Sequence, residues 1–88
     1  MKIKTIVYSR SFAKKLTKFS KKEQKKMLKK IRFFWDNPFI PVLKTHKLTG
    51  KLKAYWSFSL NANLRIMFKF VDETTVEFIN IGGHEIYK

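Results

Sequence analysis

The sequence predicts an α+β fold of two layers, in which two helices pack on one face of a mostly antiparallel sheet. Alternating apolar and polar residues, typical of strands, open the chain and return in its second half. Between these stretches, apolar residues recur at helical spacing within a lysine-rich segment. The expected order is an N-terminal strand, a helical hairpin and a three-stranded antiparallel meander that completes the sheet. Residues 1–88 are expected to form a single domain.

The first half of the chain supplies the N-terminal strand and the helical hairpin. Residues 2–8 alternate and are rich in β-branched side chains, which predicts the strand. Ser9 stands at the N-cap position of a first helix expected over residues 10–18. Residues 20–23, Ser-Lys-Lys-Glu, form a capping box that begins a second helix. We expect that helix to end near Asn37-Pro38, because proline disfavours helical geometry in the residue before it.

The second half supplies the meander, with strands expected over residues 52–60, 64–70 and 75–81. One face of the first two strands is apolar and is expected to form the core: Leu52, Ala54, Trp56, Phe58, Leu60, Leu64, Ile66, Phe68 and Phe70. The other face carries aromatic, hydroxyl and cationic side chains and is expected to be open. The third strand alternates less regularly, and Gly82-Gly83 is expected to end it and free the tail that follows.

The charge of the chain is large and uneven. There are 20 Lys and Arg against 6 Asp and Glu, and 17 of the basic residues lie within residues 1–53. Such a charge favours a polyanion or an acidic protein as partner, although a solvated helix face also accounts for the lysine run. No apolar run approaches the ~20 residues of a membrane span, so no membrane is expected. The absence of cysteine excludes disulfides and thiolate sites and suits the cytoplasm.

Four side chains are candidate catalytic residues: His46, Arg65, His84 and Tyr87. Histidine exchanges a proton near neutral pH, and the two histidines flank the meander, where they can meet at the edge of the open face. By parity Arg65 points to that face, where a guanidinium can hold a phosphate; the alternative is a cross-strand partner for Glu77. Tyr87 can stack on a base or deliver a proton. Two histidines without cysteine are too few for a zinc site unless carboxylates join them, whereas metal-free RNA cleavage needs only a base, an acid and a cation.

Further residues near these candidates are expected to bind RNA. Cations in the turn before the meander and on its open face can neutralise phosphates. An aromatic ring on that face can stack on a base. The residues expected to do so are Lys47, Lys51, Lys53, Tyr55 and Lys69.

Four short motifs in this chain resemble, in their order and spacing, those of a known protein family. They are His-Lys-Leu-Thr-Gly at residues 46–50, Tyr-Trp-Ser at 55–57, Leu-Arg-Ile-Met-Phe at 64–68 and Ile-Asn-Ile-Gly-Gly-His-Glu-Ile-Tyr at 79–87. On these motifs the chain resembles the RelE/ParE toxin superfamily, particularly its RelE/StbE and YafQ-like branches, over nearly its full length. The resemblance implies a RelE-like fold.

The resemblance also implies the toxin of a type II toxin–antitoxin system, which cuts translated mRNA in the ribosomal A site without metal or cofactor. The partners it implies are an acidic antitoxin and the ribosome, with basic helices against 16S rRNA. By position, Arg65 matches the family's phosphate-stabilising arginine, His46 and His84 match histidines of its site, and Tyr87 matches its C-terminal aromatic residue. The chain departs from relatives at residues 58–59, which are Phe and Ser instead of His or Lys, and at Asn63, where some carry aspartate.

Two other functions fit the same residues. A toxin like those of the ParE branch inhibits DNA gyrase by protein contact, and it would need neither His84 nor Arg65. A basic RNA-binding module without toxicity would account for the charge alone. Cleavage of translated mRNA separates the first interpretation from both.

Overall fold

The computed structural model describes residues 2–87. Its helices and strands are β1 (Thr5–Tyr8), α1 (Arg10–Leu16), α2 (Lys21–Asp36), β2 (His46–Lys47), β3 (Trp56–Ser59), β4 (Arg65–Phe70) and β5 (Thr75–Gly82). Short 3-10 turns lie at Pro41–Leu43, Gly50–Leu52 and His84–Tyr87. The expected α+β order is confirmed, and the two-residue strand β2 is an addition to it.

The five strands form one sheet in the order β1-β5-β4-β3-β2. β1 pairs parallel with β5, and the other neighbours are antiparallel. The helical hairpin therefore carries the chain from one edge of the sheet to the other, and the meander returns it strand by strand. Both helices pack on the same face of the sheet, and we call the opposite one the open face. Within residues 2–87 no helix is long and apolar enough to cross a membrane.

The helices begin where the capping residues predict. Ser9 Oγ accepts the N–H of Phe12 at 3.0 Å, and Ser20 Oγ accepts that of Glu23 at 3.1 Å. The Glu23 carboxylate in turn accepts the Ser20 N–H at 2.9 Å, which completes the capping box. These hydrogen bonds with Ser20 stabilise the charged carboxylate and hold the pKa of Glu23 below its usual range.

Five fully buried phenylalanines fill the core between the helices and the sheet: Phe12, Phe34, Phe58, Phe68 and Phe78. The Phe34 ring of α2 lies at their centre, 4.7 Å from the Phe58 ring and 4.9 Å from the Phe68 ring. Offset and edge-on ring contacts of this kind are favourable aromatic geometries. Ile66 and Phe68 are both fully buried, so the core face predicted for the second meander strand is confirmed there.

The first meander strand begins four residues later than expected, at Trp56. Residues Gly50–Leu52 form a 3-10 turn, and the Tyr55 N–H donates to the Leu52 carbonyl at 2.9 Å to continue it. Gly50 has a φ of +64°, which glycine adopts without strain, so the chain turns here instead of extending. Ala54, which was expected in the core, is consequently exposed.

The irregular alternation of β5 comes from a β-bulge that lies opposite Met67 and Phe68 of β4. Ile79 is the extra residue, so the side chains before and after it are out of phase. The buried residues of β5 are accordingly Val76, Phe78 and Ile81. The Ile79 carbonyl accepts a hydrogen bond from Ser9 Oγ at 2.7 Å, and the bulge thereby fastens the start of α1 to the sheet.

Candidate functional site

The C-terminal turn, His84–Tyr87, folds back onto the open face of the sheet. Ile86 is buried, and the Tyr87 hydroxyl lies 2.5 Å from the hydroxyl of Ser57, which is fully buried in β3. The expectation that Gly82-Gly83 frees the tail is therefore wrong. An apolar side chain and a hydroxyl partner both hold the tail down, and the centre of the open face is covered.

Glu85 closes this turn from its exposed side. Its carboxylate accepts the Gly83 N–H at 2.9 Å. Backbone N–H groups of Glu85 itself and of Gly83 hold the pKa of this carboxyl below its usual range, because they stabilise its charged form. Glu85 thus keeps its negative charge beside the imidazole of His84.

Gly82 is required by the close approach of the C-terminal turn. A Cβ at Gly82 would lie 2.7 Å from Cγ2 of the buried Ile86, whereas a Cβ at Gly83 would meet chiefly the exposed Glu85 carboxylate. We expect Gly82→Ala to cost about 1–3 kcal/mol, as overpacking does, and to expose the Ile86 amide to hydrogen exchange. Gly83→Ala is the matched control, because a flexible carboxylate can swing aside. Equal protection of Ile86 in the two variants would contradict this account of the turn.

His46 lies on the same side of the sheet as the C-terminal turn. It pairs with Ser57 across β2 and β3, and directly opposed side chains project to the same face. Its Nδ1 is 3.0 Å from the Lys44 carbonyl. Because a carbonyl only accepts, Nδ1 carries the proton, and in the neutral ring Nε2 is the free acceptor.

His46 and Tyr87 meet at one concavity, which we call the histidine hollow. Its lining residues are His46, Lys47, Leu48, Thr49, Leu52 and Tyr87. His84 does not line it, but its ring centroid lies 5.9 Å from that of Tyr87 in an edge-on contact. Tyr87 therefore touches the second histidine while it shares a hollow with the first.

Arg65 begins β4, where it pairs with Ser59 on one side and Gly82 on the other. Neighbouring side chains of a strand point to opposite faces, and the next residue, Ile66, is buried in the core. Arg65 therefore belongs to the open face, as the alternation in the sequence predicted. Glu77 is paired instead with Lys69, its cross-strand neighbour, at 3.6 Å, so a structural role for Arg65 as the partner of Glu77 is wrong. Arg65 lines a separate concavity and not the histidine hollow.

The five residues expected to bind RNA lie at different distances from these hollows. Lys47 lines the histidine hollow, and Lys51 and Lys53 are exposed in the turn beside it. Tyr55 is half-buried, and its backbone carbonyl accepts the N–H of Leu48 at 3.0 Å. Lys69 lies near the C-terminal end of β4, two residues after Met67, which pairs with Ser57. Its ammonium group forms an ion pair with Glu77.

Sequence reasoning missed three residues: Ser57, Lys44 and Lys30. Ser57 is a small polar residue among bulky ones in a strand, which is the signal that could have drawn attention to it. Lys44 and Lys30 line the concavity of Arg65. They lie on a loop and on α2, and no periodicity relates them to Arg65. Among residues 2–87, no group of three or more His, Asp or Glu side chains is arranged to hold a metal ion.

The fold has known counterparts among solved structures. YafQ from Escherichia coli strain BL21(DE3) matches with a TM-score of 0.68 at 22% identity, over 93% of this chain and 94% of that one. A YoeB/ParE toxin from Agrobacterium tumefaciens matches with a TM-score of 0.75 at 21% identity, over 92% and 99%. A chain of the Escherichia coli DinJ–YafQ toxin–antitoxin complex matches with a TM-score of 0.67 at 23% identity, over 98% and 97%.

No protein-family model matches the sequence, and no curated protein shows a significant match to it. The likeness to the solved toxins is thus one of structure, and at these identities it establishes the fold. The expected RelE-like fold is confirmed.

Proposed function

We propose that this RelE-like chain is the toxin of a type II toxin–antitoxin pair, and that it cleaves translated mRNA in the ribosomal A site. The observation that carries the proposal is the clustering on one face of His46, Tyr87 and His84, with Arg65 on a strand of the same face. Proton-transfer groups and a cation are what cleavage of RNA by its own 2′-hydroxyl requires. The toxins with the same fold support the toxin role.

In the proposed reaction the 2′-hydroxyl of one nucleotide attacks the adjacent phosphorus. A base takes the hydroxyl proton, the O2′–P bond forms, the P–O5′ bond breaks, and an acid protonates the departing O5′. The products are a 2′,3′-cyclic phosphate and a 5′-hydroxyl end, so the step balances without metal or cofactor. The negative charge on the phosphate oxygens increases in the transition state, and the Arg65 guanidinium is suited to stabilise it.

The two histidines are proposed as the base and the acid. The neutral His46 ring presents Nε2 as an acceptor, because Nδ1 donates to the Lys44 carbonyl. His84 is exposed next to Tyr87 and can take the complementary role. Over one turnover a proton moves from the 2′-hydroxyl to the base and another moves from the acid to O5′, and exchange with water then returns both histidines to their starting forms.

Tyr87 is proposed to bind the base next to the cleaved bond. Its hydroxyl lies within hydrogen-bond distance of the buried Ser57, which leaves the ring as its available surface. RNA-binding proteins stack unpaired bases on such rings. Ser57 would therefore fix the orientation of the ring against the two histidines.

The partners follow from the charge. A net charge of +14 favours the ribosome, where 16S rRNA can contact the lysines of α1 and α2, and it speeds encounter with a polyanion. The same charge favours an acidic antitoxin, which would order as it binds. Both partners place the proposed activity in the cytoplasm.

Cleavage mapping on translating ribosomes tests this function. Wild-type protein is expected to cut a translated message and leave 2′,3′-cyclic phosphate ends, and His84→Ala and His46→Ala are each expected to lower the rate about 10²–10⁴-fold. Both histidines are exposed, so circular dichroism should show unchanged folding. Full activity in both variants would contradict the mechanism. Inhibition of DNA supercoiling by gyrase, with no cleavage, would favour a ParE-like toxin instead.

A further inference from the structure

One buried side-chain nitrogen has no hydrogen-bond partner in the described part of the chain. The Nη1 atom of Arg65 is buried, and no hydrogen-bond acceptor among residues 2–87 is in reach of it. A guanidinium carries five N–H donors and cannot lose its charge in a protein, so an unpaired and desolvated one is costly. Arg65 as a whole is only partly buried and lines a concavity, so its other donors can meet an acceptor that a ligand supplies.

The surroundings of Arg65 define the charge of that ligand. Arg65 lines a concavity, here the arginine hollow, together with Lys30 of α2, Lys44 of the loop before β2, and Ser59 of β3. Three cations and a hydroxyl thus converge, and none of the lining residues in the described part of the chain is acidic. Phosphate oxygens are the acceptors that Arg, Lys and Ser bind together.

Lys44 joins the arginine hollow to the histidine hollow. Its backbone has a φ of +52°, uncommon for a residue with a side chain, and its N–H donates to the Pro41 carbonyl at 3.0 Å. Its own carbonyl accepts from His46 Nδ1, which fixes the imidazole of the other hollow. One residue therefore contributes its side chain to the first hollow and its backbone to the second.

The register of the sheet gives the spacing between the two hollows. His46 opposes Ser57, and Arg65 opposes Ser59, two residues further along β3. Two residues of a strand span about 7 Å, and β2 and β4 flank β3 at about 4.8 Å on either side, so Arg65 lies roughly 12 Å from His46, displaced both along and across the sheet. An extended nucleic-acid strand can enter both at once, with different phosphates in each.

We propose that the arginine hollow is a phosphate-binding subsite, which holds the RNA phosphodiester next to the one that is cleaved. The proposal rests on the function proposed above, because it takes the RNA strand of that function as the ligand. Lys30 and Lys44 bind this second phosphate, Ser59 donates its hydroxyl, and Arg65 is shared between the two phosphates through its five donors. Lys44 is in addition a positioning residue for His46.

The dependence of RNA affinity on salt tests the subsite. The probe is a short single-stranded RNA with 2′-O-methyl groups, which the protein can bind but cannot cleave. Log affinity falls linearly as log salt concentration rises. For a single strand, loss of one phosphate contact makes this decline shallower, reducing the magnitude of the slope by about 0.7. We expect this decrease for Lys44→Gln and for Lys30→Gln. The matched control is Lys4→Gln, the same change of charge just before β1, at the opposite edge of the sheet.

A titration with inorganic phosphate locates the bound anion. It is followed by NMR through the backbone amide chemical shifts of Ser59 and Asn61, which both line the arginine hollow. We expect shifts that saturate in the wild type and that decrease in the Lys30→Gln/Lys44→Gln double variant. Slopes that fall equally in all three single variants would overturn the proposal, because the effect would be one of net charge. Saturation by phosphate with unchanged RNA slopes would overturn it too, as the hollow would then bind free phosphate only.

The two proposals can fail separately. If the wild type cuts no message while Lys44→Gln still lowers the salt slope, the subsite exists and the proposed reaction does not. If the message is cut and neither lysine variant changes the slope, the reaction stands and the subsite is wrong.

Discussion

Phe34→Ala is expected to lower the free energy of unfolding by about 3–5 kcal/mol. The Phe34 ring is fully buried and contacts rings from three strands, namely those of Phe58, Phe68 and Phe78. Truncation removes these contacts and leaves a cavity that a sheet and a helix cannot easily close. Domains are stable by only about 5–15 kcal/mol in total, so the variant should be near the limit of folding. Urea unfolding followed by circular dichroism measures the difference.

The neighbouring residue gives the control for this experiment. Phe33 lies on the same helix, carries the same side chain and is 44% exposed. Phe33→Ala should cost less, about 1–2 kcal/mol, because nearly half of this side chain is already exposed and its truncation leaves no closed cavity. A loss in Phe33→Ala equal to that in Phe34→Ala would mean that α2 is rotated about its axis relative to the sheet.

Arg65→Ala is expected to reduce ribosome-dependent cleavage about 10²–10³-fold and to abolish growth arrest. The guanidinium lines the arginine hollow and is proposed to hold the substrate phosphate, so truncation is expected to remove that interaction as a whole. The melting temperature should stay the same or rise slightly, because removal of an unsatisfied buried donor relieves a cost.

Arg65→Lys serves as the conservative variant in the same assay. Lysine keeps the positive charge but lacks the planar guanidinium with its paired N–H donors. A cleavage rate above that of Arg65→Ala would show that charge contributes, and a rate equal to it would show that the guanidinium geometry is required. Lys4→Gln supplies the distant control for net charge. Full cleavage by Arg65→Ala at unchanged melting temperature would remove this residue from the mechanism.

Local patterns were sufficient to predict most of the fold. The capping box at Ser20 and Glu23 involves residues three apart, and the burial of Ile66 and Phe68 follows from alternation within one strand. The strand start at Trp56 was missed because Gly50 adopts a left-handed conformation, which side-chain alternation does not reveal. The bulge at Ile79 was visible only as irregular alternation, since it depends on pairing with β4.

The candidate site depends more on distant contacts, and it was correspondingly harder to predict. That His46 and Arg65 belong to the open face follows from strand register and parity. The position of Tyr87 depends on its contact with Ser57, 30 residues earlier in the chain, and on the burial of Ile86. No pattern in the sequence of the tail indicates either of these contacts. Lys30 and Lys44 join Arg65 from a helix and a loop, and only the packing of the two layers brings them together.

The parallel pairing of β1 with β5 has a consequence for how the chain is made. Ser9 bonds to Ile79, 70 residues later, so β1 has no neighbour in the sheet until β5 has been synthesised. Such long-range closure is slow compared with helix formation. The sheet therefore cannot close before residues 75–82 have been made. The proposed site also needs residues 84–87, so it is complete only after β5 and the turn that follows it have been made.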